Sequence, residues 1–306
     1  MPARVLWAKT VGPETPSKAD MPLNVDKLEK PLKGLRKSLN KLPKKPSPDQ
    51  VHKIRTRTRR VEATLHTLQL DRKGKGQRLL RAVAPVRKQA GKVRDMDVLT
   101  AFATTLSVDE DNECRVQLLE YLGHERFRGA RKLHKTISRQ KRVAAQSLKR
   151  CAATIGRKLN GNKGRTRWPA DASATAMQLS GELESWPKLN SHNLHAFRLK
   201  VKELRYVLQL SGEDGEFVDA LGEVKDKIGE WHDWTELAAI AEEALQHTGR
   251  CEVIEEIRAT AKRRFEDALE LARQLRKRYL EAPSKRGTTS KTVKEPVLKA
   301  TAKLAA

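Results

Sequence analysis

Three cysteines in 306 residues, Cys114, Cys151 and Cys251, share no short paired spacing. That leaves no basis for a disulfide framework or a cysteine zinc site, and they read as core or surface thiols. Aromatic residues make up only 4% of the chain and do not alternate with the basic ones, so the stacking platforms of sequence-reading single-strand binders are missing. No apolar run approaches the roughly 18 to 20 residues that a bilayer span needs, which excludes an integral membrane protein. The first twenty residues hold a short apolar patch but nothing like the ~7 to 15 apolar residues of a secretory signal, so the expected compartment is the cytoplasm. The signatures GxxxxGK[ST], GxGxxG after a strand, HExxH and GxSxG are absent, and the acidic residues read as scattered rather than gathered around a metal. The sequence therefore argues against an enzyme and calls for no cofactor and no metal.

What the chain has instead is positive charge. Lys and Arg number 63 against 38 Asp and Glu, a formal net charge of +25, with a sequence pI near 10.2. In successive fifty-residue blocks the balance runs +6, +10, +5, +5 and −7, with +6 over the remainder. The excess peaks at 51–100, and the acidic block is 201–250. A localised excess of this kind marks a surface for a polyanion rather than a general solubility device, and phosphate without bases fits the shortage of aromatics.

Leu, Ala, Lys, Arg, Glu and Gln recur with apolar residues every three or four positions, and alternating β-branched runs are nearly absent, so the fold class is all-α. Expected helices run from about 25 to 41, with Leu28, Leu32, Leu35 and Leu39 on one stripe, and from Asp49, a plausible N-cap, to about 70. Others cover about 76–90, 94–106 and 112–159, the last interrupted near Gly123 or Gly129. The Gly- and Arg-rich stretch at 160–169 divides the chain. Beyond it, helices at about 172–186, 191–210, 215–228, 232–247 and 250–280 repeat the earlier order. The organisation is thus a tail at 1–20, a first half at 21–160, a connection at 161–170, a second half at 171–282 and a basic disordered tail at 283–306.

Two pairs of segments carry the repeat. VHKIRTRTRRVEATL at 51–65 aligns with LHAFRLKVKELRYVL at 194–208, each with a His, an Arg three residues on and a cation at seven. At about 100° per residue, His52, Arg55 and Arg59 share one narrow face, opposite Val51, Ile54, Val61, Leu65 and Leu68. His195, Arg198, Lys202 and Arg205 match them opposite Leu194, Phe197, Val201, Leu204 and Leu208. GKVRDMDVL at 91–99 aligns with GEWHDWTEL at 229–237. Here Gly91 and Gly229 are expected to close one helix, and Asp95 and Asp233 to cap the first turn of the next.

Guanidinium forks bind two phosphate oxygens at once and Lys adds mobile charge, so a repeating cation array suits a repeating anion. A histidine facing phosphates would favour its protonated, doubly donating form while neighbouring Arg opposes it, which predicts pH-dependent binding. His192 with His195 spells HxxH, but no carboxylate or Cys stands at ligand spacing. Arg94 with Asp95 and Asp97 reads as an intrahelical cap and ion pair, and Trp231 and Trp234 as packing residues. The stripe Arg128, Arg131, Lys132, Lys135, Arg139 and Arg142 reads equally as a solvated face or as lining of a cleft.

With VHKIRTRTRR, GKVRDMDVL, LHAFRLKVKELRY and KDKIGEWHD in hand, the chain over roughly residues 22–280 resembles the CHAD family, the conserved histidine α-helical domain. The resemblance implies two pseudo-symmetric helical bundles whose long helices enclose a basic central cleft. It also implies binding of inorganic polyphosphate, often at polyphosphate granules. Carried over by motif position, the expected contacts are His52, Arg55, Arg59 and Arg60 from the first repeat and His195, Arg198, Lys202 and Arg205 from the second. Arg87, Lys88, Arg94 and Lys225 are secondary positions. Glu62, Glu203 and His232 depart from the family pattern. With the acidic block they suggest that the first repeat supplies more of the binding energy. Composition alone leaves nonspecific nucleic acid as the alternative partner through the same surface.

Overall fold

The computed structural model of the chain describes residues 25–67, 70–71, 74–110, 112–160, 168–210, 213, 215–245 and 251–281. Both expected tails and most of the central connection lie outside this set, as does Leu68. Among the described residues the regular structure is helical. The helices are α1 (Val25–Lys41), α2 (Pro48–Thr67), α3 (Gly74–Ala103), α4 (Glu113–Asn160), α5 (Trp168–Glu184), α6 (Leu194–Leu210), α7 (Glu216–Ala244) and α8 (Glu252–Leu275), followed by a π-helical turn at Arg276–Leu280.

Helix starts follow from local chemistry. Ser47, not Asp49, caps α2: its Oγ accepts from the Gln50 amide (3.3 Å) while Gln50 Oε1 accepts from the Ser47 amide (2.9 Å). This is a reciprocal capping box with proline as the first helical residue. Asn112 Oδ1 accepts from the Arg115 amide (3.2 Å) to open α4. Before α6, Asn190 and Asn193 accept from one another's amides.

The expected breaks at 90–94 and 228–232 do not occur. Gly91 and Asp95 sit inside the 30-residue α3, and Gly229 and Asp233 inside the 29-residue α7. Likewise α4 runs 48 residues through Gly123 and Gly129. A glycine in a helix costs only about 1 kcal/mol, which the burial of ten α3 and eleven α7 residues readily outweighs. Gly129 also serves packing, since a Cβ there would lie 3.1 Å from Val93 Cγ2.

Three cores hold the helices. The first gathers Leu32, Leu35, Val51, Ile54, Val61, Leu65, Val83, Val86, Leu133 and Ile137, among others, from α1 to α4. The second gathers Leu183, Phe197, Val201, Leu204, Leu221, Ile228 and Ala272 from α5 to α8. The third is shared: Leu99, Ala103, Leu118 and Leu122 of α3 and α4 meet Trp234, Leu237, Ala241, Val253 and Ile257 of α7 and α8. Trp234 stacks on Phe102 with ring centroids 4.7 Å apart, and Trp231 packs against Phe265 in the second core. Both tryptophans are packing residues, as expected. A buried ion pair, Asp97 with Arg126 at 2.6 Å, fastens α3 to α4, and Arg126 also donates to the Pro46 carbonyl (2.9 Å).

Because the shared core joins the halves, Trp234→Ala should lower stability by about 3–5 kcal/mol, the usual cost of removing a buried aromatic ring. It should also split a single urea transition, followed by far-UV circular dichroism, into two.

Candidate functional site

The two cationic stripes face each other across the junction of the halves. On α2, Val51 and Ile54 are fully buried while Arg55 and Arg59 are half-buried on the other side. On α6, Leu194, Phe197, Val201 and Leu204 are fully buried and Arg198 and Lys202 occupy the opposite side. Burial, then the guanidinium groups of Arg55, Arg87 and Arg198, pull the Arg59 pKa down to about 10. Burial, then Arg59, Arg198, Arg55 and Arg87, pull Lys202 down to about 8. Burial also lowers Arg198, with Arg55 adding to the effect. Arg55, Arg59, Arg87, Arg198 and Lys202, drawn from α2, α3 and α6, therefore form one mutually repelling cluster.

Glycines explain how guanidinium groups enter a helical interface. Arg198 Nε donates to the Lys225 carbonyl (2.9 Å), and a Cβ at Gly229 would fall 2.6 Å from its Nη2. Arg205 Nε donates to the Val218 carbonyl (3.1 Å), with the Gly222 position 3.1 Å from the same nitrogen. Arg57 follows the same plan on α1, donating to the Gly34 carbonyl (3.0 Å) and to Ser38. Each arginine lies flat on a helix surface bared of side chains. For Arg198 and Arg205, docking through Nε keeps most of the fork's five donors for other acceptors.

Carboxylates sit at the edge of the cluster. Asp95 lies 3.7 Å from Arg55 and Glu62 holds Arg87 at 2.8 Å. Burial raises the pKa of Asp95, against the pull of Arg55 and with help from Asp233. Burial likewise raises Glu62, against Arg87. The expectation of scattered acidic residues fails here: His232, Asp233 and Glu236 bring potential ligand atoms within 4.8 Å of one another. The group is local in sequence, i, i+1 and i+4 within one helical turn of α7, and is legible there from the helical spacing alone. The HxxH pair does not share a helix, since His192 lies in the turn before α6, its amide donating to Asn190 (2.9 Å).

The two motif histidines differ. His52 is exposed, with Nε2 3.4 Å from Thr56 Oγ1. The half-buried His195 ring lies against His232 (centroids 4.5 Å), and its Nδ1 is shut off from solvent without a hydrogen-bond partner. Burial, then His232 and Arg198, lower the His195 pKa, whereas the neighbouring Asp233 carboxylate raises that of His232. Of the other expected residues, Arg60 is exposed close enough to Tyr206 for its charge to act on that phenol. Lys88 and Arg94 lie on α3, exposed and half-buried, and the Lys225 side chain pairs with Asp226. The intrahelical pairing expected for Arg94, Asp95 and Asp97 is not formed by the two carboxylates, since Asp95 lies against Arg55 of α2 and Asp97 pairs with Arg126 of α4. A hollow of about 580 Å³ lined by Ser107, Asp109, Glu252, Glu255 and Glu256 includes none of these cations and has the wrong sign for an anion.

The family model described as the CHAD domain matches residues 26–246. The chain belongs to the CHAD-domain family. It is similar to the solved CHAD domain from the plant Ricinus communis at 17% identity, covering 85% of this chain and 93% of that one with a TM-score of 0.60. It is also similar to PptA from Streptomyces chartreusis at 15% identity, over 82% and 96% of the two chains, with a TM-score of 0.47. At these identities such likeness concerns the fold. No curated protein matches the chain. The family match stops at 246, while the packed structure of this CHAD chain continues through α8 to Leu280, whose side chain closes the second core.

Gly229 is thus a docking surface rather than a helix end, and Gly222 belongs with it, whereas Gly91 lies mid-helix with no close contact that needs its bare side. The two repeat glycines differ in tolerance. Gly229→Ala should displace Arg198 and lower stability. Gly91→Ala places its Cβ 3.8 Å from Arg55 Nε, an ordinary contact, and should stabilise α3 by up to about 1 kcal/mol; chemical denaturation measures both. For Lys202, whose folded pKa lies below its ordinary value, the unfolded chain holds the extra proton between about pH 8 and 10.5. Its contribution to stability is therefore lacking below pH 8 and grows as pH rises towards 10.5. Lys202→Met should flatten that rise in urea midpoint against pH.

Proposed function

We propose that this CHAD protein binds inorganic polyphosphate, without catalysis, through the cluster of Arg55, Arg59, Arg87, Arg198 and Lys202, with His52, Arg60, His195 and Arg205 as flanking contacts. The observation that carries the reading is the convergence of cations from both halves on one half-buried junction, Arg55, Arg59 and Arg87 from the first and Arg198 and Lys202 from the second, where burial and then the neighbouring charges lower Arg59 and Lys202. A fold that holds like charges together at a half-buried junction is destabilised there until an anion arrives, and a polymer with one charge per phosphate relieves all of them together. Family membership supports the same ligand. A single phosphate would engage only part of the array. Among the described residues no helix is long and apolar enough to cross a membrane, and attachment to polyphosphate granules would follow from the binding itself.

Isothermal titration with purified long-chain polyphosphate tests the reading. The Arg55→Glu/Arg198→Glu variant should bind at least tenfold more weakly, since each charge-assisted contact contributes about 1.5–3 kcal/mol and about 1.4 kcal/mol is a factor of ten. Reversals made one at a time would show whether the first repeat supplies more of the energy. Binding should survive excess DNA and RNA at moderate salt and release no phosphate with Mg²⁺ or Mn²⁺. Near pH 9 it should take up protons, because the polyanion restores the depressed Lys202 pKa. Between pH 5 and 8 it should strengthen on acidification in a manner that His195→Gln abolishes. Wild-type protein that fails to bind polyphosphate would refute the proposal.

A further inference from the structure

The exposed flank of α4 carries charge that the junction cluster does not use. Arg128, Arg131, Lys132, Lys135, Arg139, Arg142, Lys149 and Arg150 are all exposed. With Arg128 set at 0° and about 100° per residue, they fall within an arc of about 100° and extend about 33 Å along the helix. The buried residues Ala130, Leu133, Ile137, Ala144, Leu148, Cys151 and Ile155 lie on the diametrically opposite side. Arg128 leans on Glu125 at 2.5 Å, but from residue 126 to 170 the sequence contains no Asp or Glu at all. The first core separates this ridge from the junction: α2 buries Val51 and Ile54 in it, α4 buries Leu133 and Ile137 in it, and each helix turns its cations away. The cations acting on Arg59 and Lys202 come from α2, α3 and α6, not from α4. The stripe does not line the same site.

We propose that the outer face of α4 from Arg128 to Arg150 is a second anion-binding surface, whose partner is the phosphate backbone of double-stranded nucleic acid. Three features favour this partner. The ridge lies along one unbroken 48-residue helix fixed by its packing, and its ~33 Å length is close to one turn of B-form duplex, about 34–36 Å. A rigid row of cations against a rigid rod forgoes little conformational freedom, whereas a flexible single strand would have to be straightened. A single convex helix face is also narrow enough to enter a major groove about 12 Å wide and meet phosphates on both rims. Lastly, the ridge has little for unstacked bases or lipid. Phe127, 45% exposed, is covered by the Arg131 guanidinium 5.8 Å from its ring centre. The apolar face of α4 is committed to the core and cannot insert into a bilayer, as an interfacial helix must. With only cations on offer, recognition is independent of sequence.

Fluorescence anisotropy with two unrelated 30-base-pair DNA duplexes and the full chain tests this. Wild-type protein should bind both alike. Arg131→Gln/Lys135→Gln/Arg139→Gln should lose at least tenfold in affinity, and its slope of log affinity against log salt should become shallower by about 2–3, near 0.9 for each contact removed. Lys132→Gln/Arg142→Gln/Lys149→Gln should behave alike, with far-UV circular dichroism confirming that each folds. The junction variant Arg55→Glu/Arg198→Glu should keep duplex affinity within threefold, and the ridge variants should keep polyphosphate affinity within threefold of wild type. Unchanged duplex binding in both ridge variants overturns the proposal, as does an equal loss in the junction variant. So does a ridge-dependent loss seen only with phosphatidylserine vesicles. Because the duplex measurement involves no polyphosphate, failure of the junction reading leaves this result interpretable.

Discussion

The arrangement rests on arginine guanidinium groups laid on glycine-bared helix surfaces. A guanidinium is costly to desolvate, and one placed beside its own kind is costlier still. For Arg198 and Arg205 the structure meets the first cost with Nε bonds to the carbonyls of Lys225 and Val218, while at Arg59 and Lys202 burial and then the neighbouring cations together keep the pKa values low. The shared core of Leu99, Leu118, Leu122, Trp234 and Val253 holds the halves together against that repulsion. Removing the glycine platforms would disturb the position of the charges before it altered their number.

The carboxylates belong to the same balance. Asp95 and Asp233 occupy matching positions in the repeated segments, and each acts on the arginine of its own half, Asp95 on Arg55 and Asp233 on Arg198. Placed inside continuous helices, they serve as lateral counterions. The His195–His232 contact lies at this acidic margin, where one ring is pushed towards neutrality by burial and the other held towards the cation by Asp233. The motif histidine of the second half thus answers to neighbours that His52, open to solvent, does not have.

Much of this was legible in the sequence. Period-3.6 patterning located the buried faces of α2 and α6 because each has one apolar side, and the aligned motifs at 51–65 and 194–208 named the helices that bring cations together. Most of what differs turns on partners far along the chain. Glycine in an apolar-periodic stretch reads as punctuation at Gly91, Gly123, Gly129 and Gly229, but a local signal cannot show that Val93 needs the vacant side at Gly129 and Arg198 that at Gly229, or that long-helix packing outweighs the glycine cost at Gly91 and Gly123, where no close contact needs the space. The same long-range dependence hid the Asp97–Arg126 pair and the shared core, since their members lie far apart along the chain. The α2 cap differs for a local reason: Ser47 and Gln50 form the reciprocal capping pair around Asp49, whose charge alone would suit a cap.

Glu62 gives the cluster a property beyond its charge. Its carboxylate already sits on Arg87 at 2.8 Å, so any incoming anion must compete with an occupant that cannot diffuse away. A tethered competitor acts at a fixed, high local concentration, which a monovalent solute at ordinary levels displaces poorly. A long chain that is already gripped elsewhere meets that rival on equal terms. On the proposed reading, the built-in carboxylate would set an entry threshold that discriminates by ligand length.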